Sequence, residues 1–321
     1  MKIILSDTGI DFKSKNLISE QFKQVNLPFL KLLKSIIFNK NVYCFHVRYL
    51  HLKSPFKSCL RYAIIFTILR LKRIPIIWSM HNYYEHNSKS YYVNSLLRKY
   101  LFEKSKSIVV FHKSIVARIP DKYKTKVMVS NFGTIKNILN NKRGEEDSFI
   151  EKYEKWEGAY NIDVLIVSAA KNNKYKEYVD NIRLEYNVLI INANDFNDYS
   201  NENVFLYRGF VFESLEKIVV NNKRPIIGMV FHNNISVATS YYLYSEYKIP
   251  VITNDIIPNP SIIKKYCMGI SVNDPSEINT TIELINNNYS YYSSNSEGFI
   301  LHNTWEKGRS VYNEILEEID K

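Results

Sequence analysis

The chain has 321 residues, 45% hydrophobic and 23% charged, which is material for two cores of ordinary size and excludes a single small module. Its 43 Lys and Arg exceed its 32 Asp and Glu, yet residues 1–147 hold 27 basic and 9 acidic side chains, net +18, while the remainder nets −7. The basic residues are interleaved with Ile, Leu, Phe and Tyr, which excludes a disordered basic tail and leaves a folded half that seeks phosphate: nucleic acid, an anionic bilayer or a phosphorylated ligand.

The N-terminus MKIILSDTG is too short to read as a signal peptide. Strands are predicted at Lys2 to Leu5, Asn41 to Phe45, Pro75 to Met80, Ser107 to Phe111 and Lys126 to Ser130, with helices over Arg61 to Arg73 and Tyr92 to Lys104. The longest apolar stretch, Tyr62 to Leu69, falls far below the ~20 residues of a membrane span. Between about Ile138 and Asn161 the pattern breaks into polar and charged residues, read as the domain boundary. A second series follows at Asp163 to Ser168, Asn187 to Asn192, Val204 to Tyr207, Pro225 to Phe231, Pro250 to Thr253 and Gly269 to Val272, then an amphipathic helix over Thr304 to Asp320. Alternating β and α at this spacing implies two α/β domains with doubly wound parallel sheets, 1–150 and 151–321, the second including the closing helix. Cys44, Cys59 and Cys267 have no metal-ligand spacing and cannot all pair, which fits a reducing compartment.

In open parallel sheets ligands bind beyond the carboxyl ends of the strands, so those loops are the candidate sites. Ser6-Asp7-Thr8-Gly9 follows the first strand; Gly9 admits a close backbone approach, and Asp7 serves as a base or as a helix cap. The third strand runs into His81-Asn82-Tyr83-Tyr84-Glu85-His86, the densest polar cluster, suited to sugar hydroxyls and phosphate more than to zinc. In the second half, Lys171 and Lys174 follow small residues and could neutralise a phosphate at a helix start, or form a solvated basic turn. Arg208-Gly209-Phe210 could hold an aromatic base. Asn234, Ser236, Thr239 and Ser240 gather hydroxyls and amides where a helix begins, as an anion site or as plain capping.

The order of segments NVYCFHVRY, IPIIWSMHNYYEH, SIVVFHKS and KVMVSNFGTI, then VFLYRGFV, NNISVATSYYLYSEYKIPVITND and MGISVND, with Trp305 in the last helix, resembles GT-B glycosyltransferases of bacterial exopolysaccharide and capsule biosynthesis, related to the xanthan glucuronosyltransferase group. The resemblance implies two Rossmann-like domains facing a cleft, an N-terminal acceptor domain and a C-terminal nucleotide-sugar domain, with transfer independent of metal and of any cofactor beyond a UDP- or GDP-linked donor. By position His81 contacts the donor sugar or leaving phosphate; Gly9, Asn82 and Asn131 line the cleft; Lys171 or Lys174 with Asn234, Ser236, Thr239 and Ser240 hold the diphosphate; Arg208, Gly209 and Phe210 flank the base. The paired glutamates of many such enzymes are absent, Leu243 standing at the second, and Lys248 replaces a usual Gly. Glu85, His86 and Asp7 are the candidates for the base that deprotonates an acceptor hydroxyl.

The expected function is transfer of a sugar to a lipid-diphosphate-linked oligosaccharide by a cytoplasmic protein at the inner face of the plasma membrane, the +18 half meeting anionic lipid or the carrier diphosphate through Arg61, Arg70, Lys72 and Arg73. The alternatives are a nucleotide-sugar epimerase of the same fold and a basic nucleic-acid-binding protein; the latter lacks RNP-type, helix-turn-helix and zinc signatures, so no nucleic-acid partner is expected.

Overall fold

Each β-branched or apolar run that reads as a strand is a strand in a computed structural model of the chain, which describes residues 1–50, 54–83, 90–135, 143–167, 173–192, 201–209, 211, 213–231 and 235–320. The chain divides into two units, one of Met1–Phe132, Asn234–Ser236 and Asn303–Lys321, the other of Gly133–Asn233 and Val237–His302.

The first unit runs β1 (Lys2–Ser6), α1 (Phe12–Leu17), β2 (Phe22–Asn26), α2 (Phe29–Phe38), β3 (Val42–Val47), α3 (Pro55–Leu71), β4 (Ile76–Ser79), α4 (Tyr91–Lys104), β5 (Ser107–Val110), α5 (Lys113–Val116) and β6 (Val127–Val129). Its sheet is parallel in the order β2-β1-β3-β4-β5-β6. The chain reverses direction across the sheet between β1 and β3, and the loops that leave these two strands diverge to opposite sides of a crevice. β2 was not predictable from apolar periodicity: it is an edge strand whose residues are half-buried or exposed, so it needs no apolar run.

Side chains alternate across the sheet with the strand period of two. Phe45, Val47, Trp78, Ile108 and Val110 point to the face covered by α2, α3 and α4, where Leu32, Ile65, Leu69, Leu97 and Leu101 complete an apolar core.

The second unit runs α6 (Arg143–Glu154), β7 (Val164–Val167), α7 (Asn173–Asp180), β8 (Val188–Ile191), β9 (Val204–Tyr207), α8 (Glu213–Asn221), β10 (Ile227–Val230), α9 (Ser240–Glu246), β11 (Val251–Asn254), α10 (Asn259–Tyr266), β12 (Gly269–Val272), α11 (Ile278–Asn287) and α12 (Tyr289–His302). The sheet order is β12-β11-β10-β7-β8-β9, again parallel. Two boundaries differ from the sequence reading. The polar stretch taken as the break at about 138–161 contains α6, whose Phe149 and Tyr153, four residues apart, are fully buried against Phe205 and Tyr207; two anchors in a charged helix are too few to register as amphipathicity.

The last helix, α13 (Trp305–Asp320), belongs to the first unit, not to the second as the division at 150 implies. It lies with α1 on the sheet face opposite α2–α4. The Tyr43 hydroxyl donates to the Leu316 carbonyl, Tyr312 and Ser79 share a hydrogen bond through their hydroxyls, and Arg309 Nε donates to the Asn16 carbonyl at 3.0 Å. No helix among the described residues is long and apolar enough to cross a membrane.

Candidate functional site

Because every strand of the first sheet points the same way, the residues that follow β1, β3, β4, β5 and β6 collect along one edge. They are Asp7, Arg48 and Tyr49, His81, Phe111, and Asn131 and Phe132.

Asp7 is buried under this edge. Its Oδ1 accepts from the Arg48 backbone N–H at 3.0 Å and its Oδ2 from the Tyr62 hydroxyl of α3 at 3.3 Å. Burial nevertheless outweighs these bonds and the nearby Arg48 charge, pushing the carboxyl up to about 7. In the unfolded chain it titrates near 3.8, so between pH 4 and 7 the folded state holds a proton that the unfolded state lacks, and stability falls as pH rises through that window. Asp7→Asn should flatten this slope, removing a decline of about 3 kcal/mol; urea unfolding of both proteins at pH 4.5 and pH 7.5 measures it.

The Arg48 guanidinium is 2% exposed and forks onto Asp11, with both oxygens at 2.7 Å, while its other nitrogen donates to the Gly9 carbonyl at 3.1 Å. Asp11 in turn caps α1, accepting from the Ser14 N–H at 3.0 Å. Burial opposes ionisation of Asp11, but the Arg48 charge and hydrogen bonds prevail and hold its carboxyl below the usual value. Lys13, two residues on, sets its ammonium over the Phe132 ring at 4.7 Å. Burial pulls Lys13 down to about 8.

His81 is held by ring contacts alone. Its imidazole stacks on Tyr49 at 4.6 Å and 14° and on Phe111 at 4.6 Å and 15°, and Phe132 lies parallel beyond, 4.2 Å from Phe111. The side chain is 92% buried, at 8% exposure, yet no described residue hydrogen-bonds to its ring nitrogens. Burial first, then the charges of Lys13 and Arg48, keep its pKa well below the ordinary value, so near neutral pH it is an imidazole with one donor and one acceptor to offer. Behind it, on the α13 face, His46 Nε2 meets Ser79 Oγ at 2.7 Å, and Ser79 bonds Tyr312. Burial lowers His46 to about 3, so this second imidazole is a neutral structural group.

The arrangement brings Asp7 and His81 into one cluster and adds groups that the sequence reading passed over: Arg48, Asp11, Lys13, Tyr49, Phe111 and Phe132. Arg48 stands directly after a strand, where the same rule that selected His81 applies; its place within a broadly basic half hid it. Gly9 is exposed with open space around it, Asn82 is half-buried beside His81, and the Asn131 amide donates to the carbonyls of Phe132 at 3.0 Å and Thr304 at 2.9 Å, tying β6 to the start of α13. Glu85 and His86 lie outside the described residues.

In the second unit Lys171, Phe210 and Asn234 lie outside the described residues, and Lys174 is placed only by its backbone, as the second residue of α7. Arg208 is exposed just past β9, and Gly209 lies where a Cβ would meet the Tyr207 ring at 2.7 Å. Thr239 and Ser240 begin α9, Thr239 without a side-chain cap bond. Ser236 is buried and groups with the first unit, where the neighbouring Ile235 carbonyl accepts from the Tyr83 N–H at 2.9 Å. Tyrosines saturate the switch point of this sheet, between β7 and β10. Tyr244 OH accepts from the Val167 N–H at 3.0 Å and donates to the Leu165 carbonyl at 2.9 Å, and Tyr175 OH accepts from the Phe231 N–H at 2.8 Å.

No protein-family model and no curated protein matches the chain. Solved structures do. The chain is similar to the crystal structure of Anabaena Alr3699/HepE in complex with UDP, with a TM-score of 0.68 at 11% identity over 99% of this chain and 100% of that one. It is similar to the S. aureus MnaA–UDP co-structure, 0.57 at 12% identity over 92% and 91%. The apo form of the lipopolysaccharide outer core galactosyltransferase WaaB gives 0.56 at 13% identity over 99% of both chains. At these identities the likeness establishes the fold, which is GT-B.

Proposed function

We propose that the protein is a glycosyltransferase that moves a sugar from a nucleotide-sugar, UDP-linked by preference, to an acceptor hydroxyl. The observation that carries this reading is His81: a neutral imidazole fixed by stacked rings, its nitrogens unclaimed by described residues, with two cations close by at the carboxyl edge of a parallel sheet. Such a group suits a sugar hydroxyl or a diphosphate oxygen, because it donates and accepts without a charge of its own, while Lys13 and Arg48 supply a field that favours negative charge developing on a departing nucleoside diphosphate. The solved structures of similar fold that hold UDP or UDP-glucose support the choice of donor.

In this reading the second unit takes the nucleotide-sugar, with Lys171 or Lys174, Thr239 and Ser240 on the diphosphate and Arg208 to Phe210 at the base, and the first unit takes the acceptor. The acceptor is a lipid-diphosphate-linked oligosaccharide of surface polysaccharide assembly, of the exopolysaccharide or capsule type, and the enzyme works from the cytoplasm on the inner face of the membrane without a metal. Asp7 holds the backbone of residues 48–49 through its carboxyl, which leaves Glu85 or His86 as the base.

A thermal-shift screen with UDP-, GDP-, dTDP- and CMP-sugars tests the donor. Ligand at 100 times its Kd should stabilise the native state by about 2.7 kcal/mol, and only UDP compounds should do so strongly. No shift with any nucleotide overturns the reading. A sugar that is isomerised without acceptor would instead assign an epimerase.

A further inference from the structure

We infer that the outer surface of the α2–α3–α4 layer is a docking face for an anionic lipid bilayer, with α3 lying in the plane of the headgroups. The inference builds on the membrane acceptor proposed above, and names the surface that meets the membrane.

Three observations converge on this face. The first is apolar exposure. Of the 16 large hydrophobic side chains that stand exposed among the described residues, nine belong to α2, α3 and α4, including Phe56 at 81%, Tyr91 at 79% and Leu71 at 77%. Surface hydrophobics scattered singly need no explanation, whereas more than half of them gathered on three helices of one layer mark a contact surface.

The second is the pattern along α3. Its inward residues Tyr62, Ile65, Phe66 and Leu69 fill the core, while Phe56, Leu60, Ala63, Thr67 and Arg70 with Leu71 form one exposed stripe, spaced four, three, four and three residues apart. From 56 to 71 this stripe runs about 22 Å at 1.5 Å per residue. Its one hydroxyl, Thr67 Oγ1, donates to the Ala63 carbonyl at 2.8 Å, and the guanidinium of Arg70, near its C-terminal end, is the one charged group the stripe offers to headgroups. A helix whose outer stripe is apolar from Phe56 to Ala63 and flanked by Lys57 and Arg70 has both an apolar and an anionic medium to face.

The third is charge. Between Glu20 and Glu85 the chain has no Asp or Glu at all, and the layer's rim carries Lys31, Lys34, Lys57, Arg70, Lys72 and Arg73, all exposed. This complementarity selects the occupant. A second copy of the chain on the same face would set cations against cations. A nucleic acid would use the cations but leave Phe56, Leu60 and Leu71 against phosphate, which they cannot serve. An anionic bilayer takes both, the cations at the headgroups and the apolar stripe at the acyl boundary. Phe56, Tyr91 and Tyr92 stand at the helix starts, the end of the layer nearest the sheet edge that carries His81, so a lipid-linked substrate would reach that edge from the bilayer along the shortest route.

The test is co-sedimentation of the full chain with phosphatidylcholine vesicles with and without 30% phosphatidylglycerol, without nucleotide, so that the result is independent of the donor reading. Wild type should bind the anionic vesicles, weakly bind the neutral ones, and lose affinity as salt is raised. Removing Lys57, Arg70 and Lys72 as Lys57→Ser/Arg70→Ser/Lys72→Ser should weaken binding on the order of 100-fold, about fivefold per cation. Phe56→Ser/Leu60→Ser/Leu71→Ser, all at surface positions, should abolish retention at high salt while leaving the thermal midpoint in place. Equal binding of wild type and both variants overturns the inference. A dimer in sedimentation velocity that the same substitutions dissociate would assign the face to a second copy, and oligonucleotide binding lost in the cation variant alone would assign it to nucleic acid; either result overturns it as well.

Discussion

His81→Phe should retain the stacked rings and lose the reaction. Phenylalanine keeps a flat ring between Tyr49 and Phe111, and the somewhat larger six-membered ring in a packed site costs about 1–3 kcal/mol. What disappears is the donor and acceptor pair of the imidazole, and removing one preorganised group that meets developing charge typically lowers turnover ~100- to 1000-fold. The measurement is nucleotide release in the presence of acceptor, beside a thermal melt of the same sample. His81→Ala separates the two roles from the other side: it removes the nitrogens and also opens a gap in the ring stack, so it should lose both turnover and stability. If His81→Phe turns over at the wild-type rate, the imidazole is part of the packing and nothing more.

The largest effect on stability should come from Asp11→Ala. This carboxylate is the partner of a guanidinium that is 2% exposed, and deleting it leaves a buried cation unpaired, a loss that in buried pairs is ~3–5 kcal/mol. Asp11 itself is 38% exposed, and water reaching the site reduces this to about 3 kcal/mol. The cap of α1 is lost together with the ion pair, whereas Asp11→Asn keeps an oxygen for the Ser14 N–H and should recover about 1 kcal/mol. The pH dependence has a definite sign. Because the folded carboxyl titrates below its ordinary 3.8, its contribution is complete above that value and is lost as the pH falls through the lower folded one. Urea midpoints of wild type and Asp11→Ala should therefore differ most at neutral pH and draw together in strong acid. A constant gap would mean that Asp11 acts by capping and shape, without its charge.

The strands were readable from the sequence because parallel strands buried on both faces are short apolar runs, and Val164–Val167 or Ser107–Val110 can hardly be anything else once flanked by helical spacing. β2 was not, since half its surface faces solvent and its FKQVN carries no run. The site was half readable. Asp7 and His81 are isolated polar residues at the ends of apolar runs, and the rule for open sheets selects them. Arg48 and Lys13 carry the same charge as 25 other basic residues in their half, and only packing distinguishes a guanidinium locked onto Asp11 from a solvated one. The aromatic stack is invisible for a different reason: Tyr49, Phe111 and Phe132 are far apart in sequence and become neighbours only when β3, β5 and β6 are laid in order. The second unit's tyrosines are similar, because Tyr244 reads as a core residue until its hydroxyl is seen bridging two strands.

The location of α13 also governs when the first unit can be finished. Its sheet is synthesised by Val129, but the face bearing Cys44, His46 and Ser79 is closed by Tyr312, Ile315 and Leu316. At ~5–20 residues per second that closure trails the sheet by roughly 10–40 s, enough for the second unit's sheet to form first. A nascent chain on the ribosome thus carries an open-faced first unit, and its completion follows that of the unit encoded after it.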